Sequence, residues 1–321
     1  MTMETASARK LLDRLRAGAA TCSCGGYLAA QNPLQRSEIC TSLLFDRLGR
    51  KMRTVEALRR EADENWNQTF YLLYFRTLGD RQNQQAFLEL ARRVPYKTVL
   101  RERLVPHAVE ALLLGTSGLL DLYPHDTYTL DLKRSFVYLA AKYEIAAMEA
   151  GAWQLANIRP ANHPVLRIAQ AAEFFSQDEF IMERAMACRS EEDIRQLFCV
   201  EASPYWRTHH TPGAERDESP KRIGRFKANI IGINLVCVLQ FAYGSRTGRE
   251  ALRDSALSLL ERLPAEENRY MRLWAAAGAA PRNAFESQAL LQLATEFCAA
   301  ERCAQCPVGR RILQKIADGS A

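Results

Sequence analysis

The sequence predicts an all-α protein, folded as a single compact domain of about a dozen helices. Apolar residues recur at intervals of three and four along most of the 321-residue chain, which is the spacing of one helix face. The sequence has no alternating apolar segments joined by the short turns that are typical of β-hairpins. With 48% hydrophobic and 25% charged residues, the composition is that of an ordinary globular protein.

The helices can be placed in order by their apolar stripes and by the prolines between them, because proline disfavours a helical conformation in the preceding residue. The segment after Pro106 is apolar nearly all round, which predicts a buried central helix. Residues 207–227 are polar, with six Lys or Arg against three acidic residues, and predict a surface loop or a domain joint. The predicted helices are Ser42–Leu58, Asn65–Leu78, Ala86–Arg93, the segment after Pro106, Lys133–Tyr143, a segment from near Pro164, Glu191–Phe198, Ala228–Tyr243, Arg249–Arg262, Glu266–Ala277 and a last one from near Asn283.

The sequence predicts one domain with a short segment at each end of the chain. We expect a lead-in helix over residues 1–23, the all-helical domain over 24–316 and a disordered tail over 317–321. The N-terminus lacks the order of charges and apolar residues of a signal peptide, and no apolar run approaches the roughly 20 residues that cross a bilayer. The nine cysteines are scattered and odd in number, which favours reduced thiols. These features predict a cytoplasmic protein without membrane contact.

A cluster of three cysteines near the C-terminus is the clearest chemical signal. Cys298, Cys303 and Cys306 follow the pattern C-x4-C-x2-C, and thiolates at such short spacing can bind one soft metal ion. A fourth ligand has to come from elsewhere, and Cys24 or Cys22 could supply it. The pattern predicts an iron–sulfur cluster or a zinc ion; the alternative is three reduced thiols packed as small apolar side chains.

Basic residues form the second signal, because a net charge of +6 is compatible with a polyanionic partner. Arg159 and Arg167 flank a proline-rich turn at a predicted helix start, where arginines and free backbone N–H groups can bind phosphate. The alternative is that they cap helices internally.

The segment PYWRTHH interleaves aromatic and cationic side chains next to the basic loop, a combination that holds single-stranded nucleic acid. The alternative is a structural corner anchored by Trp206. The predicted contact residues of the segment and the loop are Arg207, His209, His210, Lys221, Arg222, Arg225 and Lys227.

Several longer motifs occur in a characteristic order along the chain. They are ENWNQTFYLLYFRTLG, AFLELARRVPYKTVL, VEALLLGTSGLL, RPANHPVLRIAQ, ASPYWRTHH, NIIGINLVCVLQFAYG, LLERLPAEEN, NAFESQALLQL and FCAAERCAQCPVG. This series, which extends from about Cys24 to Leu313, resembles the C-terminal helical half of a bacterial family, the domain-of-unknown-function family 2851.

The resemblance carries one implication for function. Full-length members also have an N-terminal β-rich half whose acidic and histidine-rich motifs look like a restriction-endonuclease-type fold. Residues before Cys24 are too few to hold such a half. The resemblance therefore implies either a separate helical subunit or a truncated relative, without the part best suited to cutting nucleic acid.

Taken together, these patterns favour a non-catalytic helical module that binds nucleic acid or a nuclease-like partner domain. No catalytic activity of the chain alone is expected, since the fingerprints of common ATPases, dehydrogenases, metalloproteases and hydrolases are absent from the sequence. The first alternative is a metal-dependent enzyme or redox protein built on the cysteine cluster. The second is a structural protein that forms oligomers, although the sequence leaves the oligomeric state open.

Overall fold

The computed structural model describes residues 24–317, with side chains as far as Lys315. Within that range it contains fifteen α-helices and, apart from two isolated β-bridges, no strand. The all-α prediction is confirmed. The helices are α1 (Gly25–Ala29), α2 (Pro33–Glu61), α3 (Trp66–Leu78), α4 (Gln84–Arg93), α5 (Tyr96–Glu102), α6 (Ala108–Thr116), α7 (Thr127–Tyr143), α8 (Pro164–Gln177), α9 (Ile181–Ala187), α10 (Glu191–Phe198), α11 (Arg225–Thr247), α12 (Glu250–Arg262), α13 (Arg269–Ala276), α14 (Ala284–Gln292) and α15 (Pro307–Ala317).

The helices group into two compact units. One unit comprises the described residues up to Arg53 together with those from Gly244 onward, and the other comprises Thr54–Tyr243. The boundaries fall inside α2 and α11. The predicted lead-in helix over 1–23 and residues 318–321 of the predicted tail lie outside the described residues, so the predicted domain limits stay a prediction.

The core of the Thr54–Tyr243 unit is an aromatic cluster built on α3. Because α3 buries side chains on nearly all sides, its aromatic residues meet those of α8: the rings of Tyr74 and Phe174 stack at 4.9 Å, and Tyr71 packs edge-on against Phe175 at 4.9 Å. Such aromatic contacts add to the stabilisation that comes from burial alone.

The predicted central helix is confirmed as α6, in which every residue is buried. It packs against α7 and α8. Gly115 allows this closeness, since a Cβ atom there would lie 2.0 Å from the ring of Phe136 on α7. Gly118 ends the segment in a left-handed conformation with a φ of 72°, which glycine adopts without strain.

A buried lysine closes the C-terminal end of α3. Lys227, in the first turn of α11, is 5% exposed, and its Nζ donates to the carbonyl oxygens of Thr77 (3.1 Å) and Leu78 (3.0 Å). The same Nζ forms an ion pair with Asp80. The last carbonyl groups of a helix have no partner within it, so a cation at this position satisfies them and interacts favourably with the helix dipole.

Helix α11 has two further features. It contains a π-helical segment, Gly232–Val236, at which Gly232 lies against Ile194 of α10. It is also the one described helix that is long and apolar enough to span a membrane by composition, and 78% of its most apolar window is buried inside the protein.

The other unit is built around α14, a helix that buries polar side chains. Glu286, Gln288 and Gln292 are nearly inaccessible, and each bonds to an arginine of α2. Glu286 accepts from Arg36 at 2.8 Å, and Gln288 accepts from Arg47 at 2.6 Å. The partly exposed Arg50 reaches Gln292 at 2.6 Å. These charge-assisted bonds join α2 to α14 across more than 200 residues of sequence.

The C-terminal helix packs on the N-terminal helices. Arg311 of α15 donates to Glu38 of α2 at 3.1 Å, and the ammonium group of Lys315 lies 5.3 Å from the ring centre of Tyr27 on α1.

We expect the Lys227→Met variant to lose stability, because it leaves the carbonyl oxygens of Thr77 and Leu78 without their donor and removes the partner of Asp80, whose side chain is 45% exposed. A buried polar group left without a partner costs about 1–3 kcal/mol of unfolding free energy. The measurement is urea denaturation at neutral pH. The control is Lys133→Met, which removes an exposed pair with Asp121 and should cost no more than about 1 kcal/mol. Equal losses in the two variants would contradict the capping role of Lys227.

Candidate functional site

A pocket of about 200 Å³ lies where α3 ends and the turn Pro160–Asn162 begins. Polar groups form most of its wall, and several of them belong to helix ends, where the chain turns sharply. Asp80 and Asn157 adopt left-handed conformations with φ angles of 49° and 60°. The lining residues are Leu78, Gly79, Asp80, Gln82, Asn83, Phe87, Asn157, Ile158, Arg159 and Asn162.

Two buried cations contact residues that line the pocket. Lys227 pairs with Asp80, as described above, while Arg167 of α8 is 5% exposed. Burial lowers the pKa of Lys227 to about 8, with Asp80 opposing the effect, and burial also lowers the pKa of Arg167. Because a buried charge is stabilised by any nearby charge of opposite sign, both cations favour an anion in the pocket.

Arg167 is bonded to neutral groups and to no carboxylate. Its Nη1 donates to Gln170 Oε1 at 2.8 Å and its Nη2 to Asn162 Oδ1 at 2.6 Å. Its Nε is buried and, within the described residues, has no hydrogen-bond partner. Its charge is therefore not neutralised by a direct ion pair.

The contact with Arg167 also sets the direction of the Asn162 amide. A guanidinium group can only donate, so the oxygen of Asn162 must face Arg167 and the amide nitrogen points away from it. Asn162 lines the pocket, and its Nδ2 makes no hydrogen bond with another described residue, so it can donate to a ligand. Asn83, by contrast, uses both amide atoms on the backbone of Gln154.

Arg159 supplies an exposed charge at the same pocket. Its side chain makes no hydrogen bond or ion pair with any other described residue, and it lines the pocket beside Asn162. The pocket thus has three cations, Arg159, Arg167 and Lys227, against the carboxylate of Asp80. This arrangement can bind a small anionic group through Arg159 and the amide of Asn162.

Three of the predicted contact residues are exposed but carry compensated charges. Arg207 and Arg222 both bond to Glu201, at 2.9 and 3.5 Å. Arg225 donates two hydrogen bonds to Glu191, at 2.7 and 2.8 Å. A bidentate pair of this kind holds the guanidinium group to its own carboxylate, so these arginines present a weaker positive surface than the sequence indicated.

Burial corrects the prediction for Lys221, Lys227 and Arg167, which were expected to contact nucleic acid directly. All three are at most 5% exposed, so a polyanion outside the protein cannot reach them. Lys221 donates to the carbonyl oxygens of Arg207 (2.9 Å) and Ser219 (3.1 Å) and thereby holds the basic loop in place. That loop lies inside the Thr54–Tyr243 unit and is not a joint between the units.

The segment PYWRTHH is tied into the protein through the buried carboxylate of Glu110. Trp206 is fully buried and donates to Glu110 at 2.5 Å, and Ser203 and Tyr128 donate to the same side chain at 3.1 and 2.7 Å. Trp206 is therefore a core anchor. Tyr205 donates to Asp126 at 2.6 Å.

The two predicted histidines, His209 and His210, are partly buried. His209 stacks on Tyr205 at 4.1 Å and is 12% exposed. Desolvation lowers the pKa of His210, which favours the neutral ring at neutral pH. Neither histidine lines the pocket beside Arg159.

The cysteine cluster is placed around a tight turn before α15. Cys306 is buried, and its N–H donates to the carbonyl oxygens of Arg302 and Cys303 at 3.0 and 3.2 Å. Gly309 packs so closely on this turn that a Cβ atom would lie 2.0 Å from the Cys303 carbonyl oxygen. Cys298 ends the π-helical segment that follows α14, and Cys24 precedes α1.

As placed, these cysteines do not form a ligand set. In residues 24–315 no group of three His, Cys, Asp or Glu side chains is arranged to hold a metal ion. Cys22, the other proposed source of a fourth ligand, lies outside the described residues. The iron–sulfur or zinc site stays a prediction, and nothing below depends on it.

Asp80 is the pocket residue that the sequence analysis missed. A carboxylate after a helix-ending glycine resembles any surface turn, and nothing in the sequence indicated its lysine partner 147 residues away. The arginine partners of the polar residues of α14 were missed for the same reason, since they lie on α2 at the other end of the chain.

The depressed pKa of Lys227 predicts a particular dependence of stability on pH. Between about pH 8 and pH 10.5 the unfolded chain holds a proton on this lysine that the folded protein releases, so the free energy of unfolding should rise with pH in this window. The measurement is chemical denaturation across that range, with Lys227→Met as the reference that lacks the titrating group. Parallel curves for the two proteins would show that the pKa of Lys227 is not lowered.

The two cysteines of the turn should differ in reactivity. Cys306 is buried and its pKa is raised by desolvation, whereas Cys303 is partly exposed, so iodoacetamide should modify Cys303 first in the native protein. Both lie on one tryptic peptide, residues 303–310, so fragment spectra compare them directly. Protection of Cys303 that a chelator removes would contradict this expectation and support the metal site.

Comparison with known proteins agrees with the resemblance seen in the sequence. The model of the family described as protein of unknown function (DUF2851) matches residues 2–269. The match includes the whole pocket and ends before the cysteine cluster. No curated protein and no solved structure matches the chain. Since the matched region covers most of the 321 residues, the chain belongs to the DUF2851 family.

Proposed function

We propose that the protein is a non-catalytic helical module that binds nucleic acid, and that a backbone phosphate enters the pocket beside Arg159. The observation that carries the proposal is the unpaired guanidinium of Arg159 at a concave, polar site with an excess of buried positive charge. Phosphate oxygens accept hydrogen bonds, so they match the donors of Arg159 and of the Asn162 amide.

The surrounding charges support the same ligand class. Arg167 is held in a fixed position by hydrogen bonds to neutral amides, so it contributes a positive potential without any cost of ordering when the anion binds. Asp80 opposes the anion in part, but its carboxylate is engaged by Lys227.

The pocket favours binding over catalysis. Its wall contains one carboxylate and no histidine, cysteine, serine or threonine, so it has no nucleophile with an adjacent general base. A binding module would act together with a partner that supplies catalysis, such as the nuclease-like domain that the family resemblance implies.

We expect the Arg159→Ala variant to bind nucleic acid more weakly than the wild type and with a shallower dependence on salt. Loss of one phosphate contact should reduce the slope of log affinity against log salt by about 0.7–0.9. The measurement is fluorescence anisotropy of a labelled oligonucleotide between low and physiological salt, and Arg159→Glu should weaken binding further.

Arg134→Ala is the matched control, because Arg134 is also exposed, at 78%, and pairs with Asp131 on the surface of α7. It should leave both affinity and salt slope unchanged. Absence of binding by the wild type at low salt, or an equal loss in both alanine variants, would refute the proposed site.

A further inference from the structure

The aromatic side chains that the sequence indicated for base stacking are not available. Trp206 is fully buried. Tyr205 lies between two other rings, with Tyr128 stacked at 4.2 Å on one side and His209 at 4.1 Å on the other. A base cannot insert into this stack without displacing one of them.

Phe226 is the aromatic residue that the structure leaves open close to the pocket. It is 53% exposed in the first turn of α11 and makes no ring contact with another described residue. Exposure of a large apolar ring gives up the stabilisation of burial. A base of nucleic acid can cover such a ring by stacking on it.

The position of Phe226 relative to the pocket is set by its neighbour. Lys227 is the next residue, and its side chain reaches Asp80 in the pocket wall. Adjacent Cα atoms are about 3.8 Å apart, so the backbone of Phe226 lies within about 4 Å of the backbone position from which Lys227 reaches that wall. This separation is within the reach of one or two nucleotides.

The chain around Phe226 is also suited to a polyanion. Gly224 precedes the first turn of α11 and has no side chain that could cap it, so the turn presents backbone N–H groups. Positive charge is concentrated at such a helix start. Arg225 is exposed beside Phe226, although Glu191 holds its guanidinium group.

We propose that the protein binds nucleic acid as a single strand, with one base stacked on Phe226 and a nearby phosphate in the pocket beside Arg159. This inference rests on the function proposed above and specifies its substrate. A duplex keeps its bases paired and stacked inside the helix, so it cannot offer a base to Phe226, whereas a single strand can.

The test compares a single-stranded oligonucleotide that contains 2-aminopurine with the same strand in a duplex and with inorganic polyphosphate, which has phosphates but no bases. The full chain should bind the single strand most tightly and change the 2-aminopurine fluorescence. Phe226→Ala should weaken single-strand binding between about 5- and 150-fold and leave polyphosphate binding unchanged. Phe226→Tyr should retain both properties, because it keeps a ring at the same position.

Phe180→Ala is the matched control. Phe180 is 59% exposed in the same unit, but the nearby carboxylates Asp178 and Glu179 are paired with Arg184 and Arg103, and Phe180 does not line the pocket. This variant should bind the single strand like the wild type.

The outcomes separate this inference from the proposed function. If Phe226→Ala binds the single strand like the wild type while Arg159→Ala binds it more weakly, the phosphate pocket stands and the stacking role is refuted. Equal affinity for duplex and single strand would refute single-strand recognition but would leave the phosphate pocket in place. If the wild type binds none of the three polyanions at low salt, both proposals fall.

Discussion

The pocket depends on one buried ammonium group, that of Lys227. This group donates hydrogen bonds to the carbonyl oxygens at the end of α3 and forms an ion pair with Asp80 in the pocket wall. It thereby connects the first turn of α11 to the end of α3. Removing a charge from water is costly, and the three acceptors around this ammonium group offset only part of that cost, since the pKa of Lys227 is still lowered to about 8. The left-handed backbone of Asp80 follows from the same constraint, because that conformation turns the chain at the end of α3.

Whether a basic side chain can bind an anionic ligand depends on whether a carboxylate of the protein already pairs with it. Three exposed arginines of the basic loop, Arg207, Arg222 and Arg225, are held by Glu201 and Glu191, so a polyanion would have to compete with those carboxylates. Arg167 is bonded to neutral amides, and Arg159 has no partner among the described residues. Charge that is already paired attracts a further anion only weakly, since the two charges of the pair cancel over short distances in water. The number of basic residues in a segment is therefore a poor guide to its function in this protein.

Both units use buried polar contacts between segments that are distant in the sequence. In one unit Glu110 accepts from Trp206, Tyr128 and Ser203; in the other the amides and carboxylate of α14 accept from arginines of α2. Each of these polar groups would destabilise the protein if left unpaired, so the contacts select one arrangement of helices over others with equally good apolar packing. Buried Gln288 and Glu286 also explain why α14 lacks a clear apolar stripe.

The sequence by itself determined the fold class, the positions of the main helices, the burial of α6 and the membership in the family, because helical periodicity and motif order are local properties of the chain. It also placed Arg159 and Arg167 at a helix start, where the structure has them. Only the tertiary structure decided that Lys221 and Lys227 are buried, that Asp80 joins Arg159 at one pocket, and that the chain forms two units whose boundaries lie inside continuous helices. The physical reason is that burial and charge pairing depend on contacts between segments that can lie 250 residues apart, and neither leaves a periodic signal in the segments that take part.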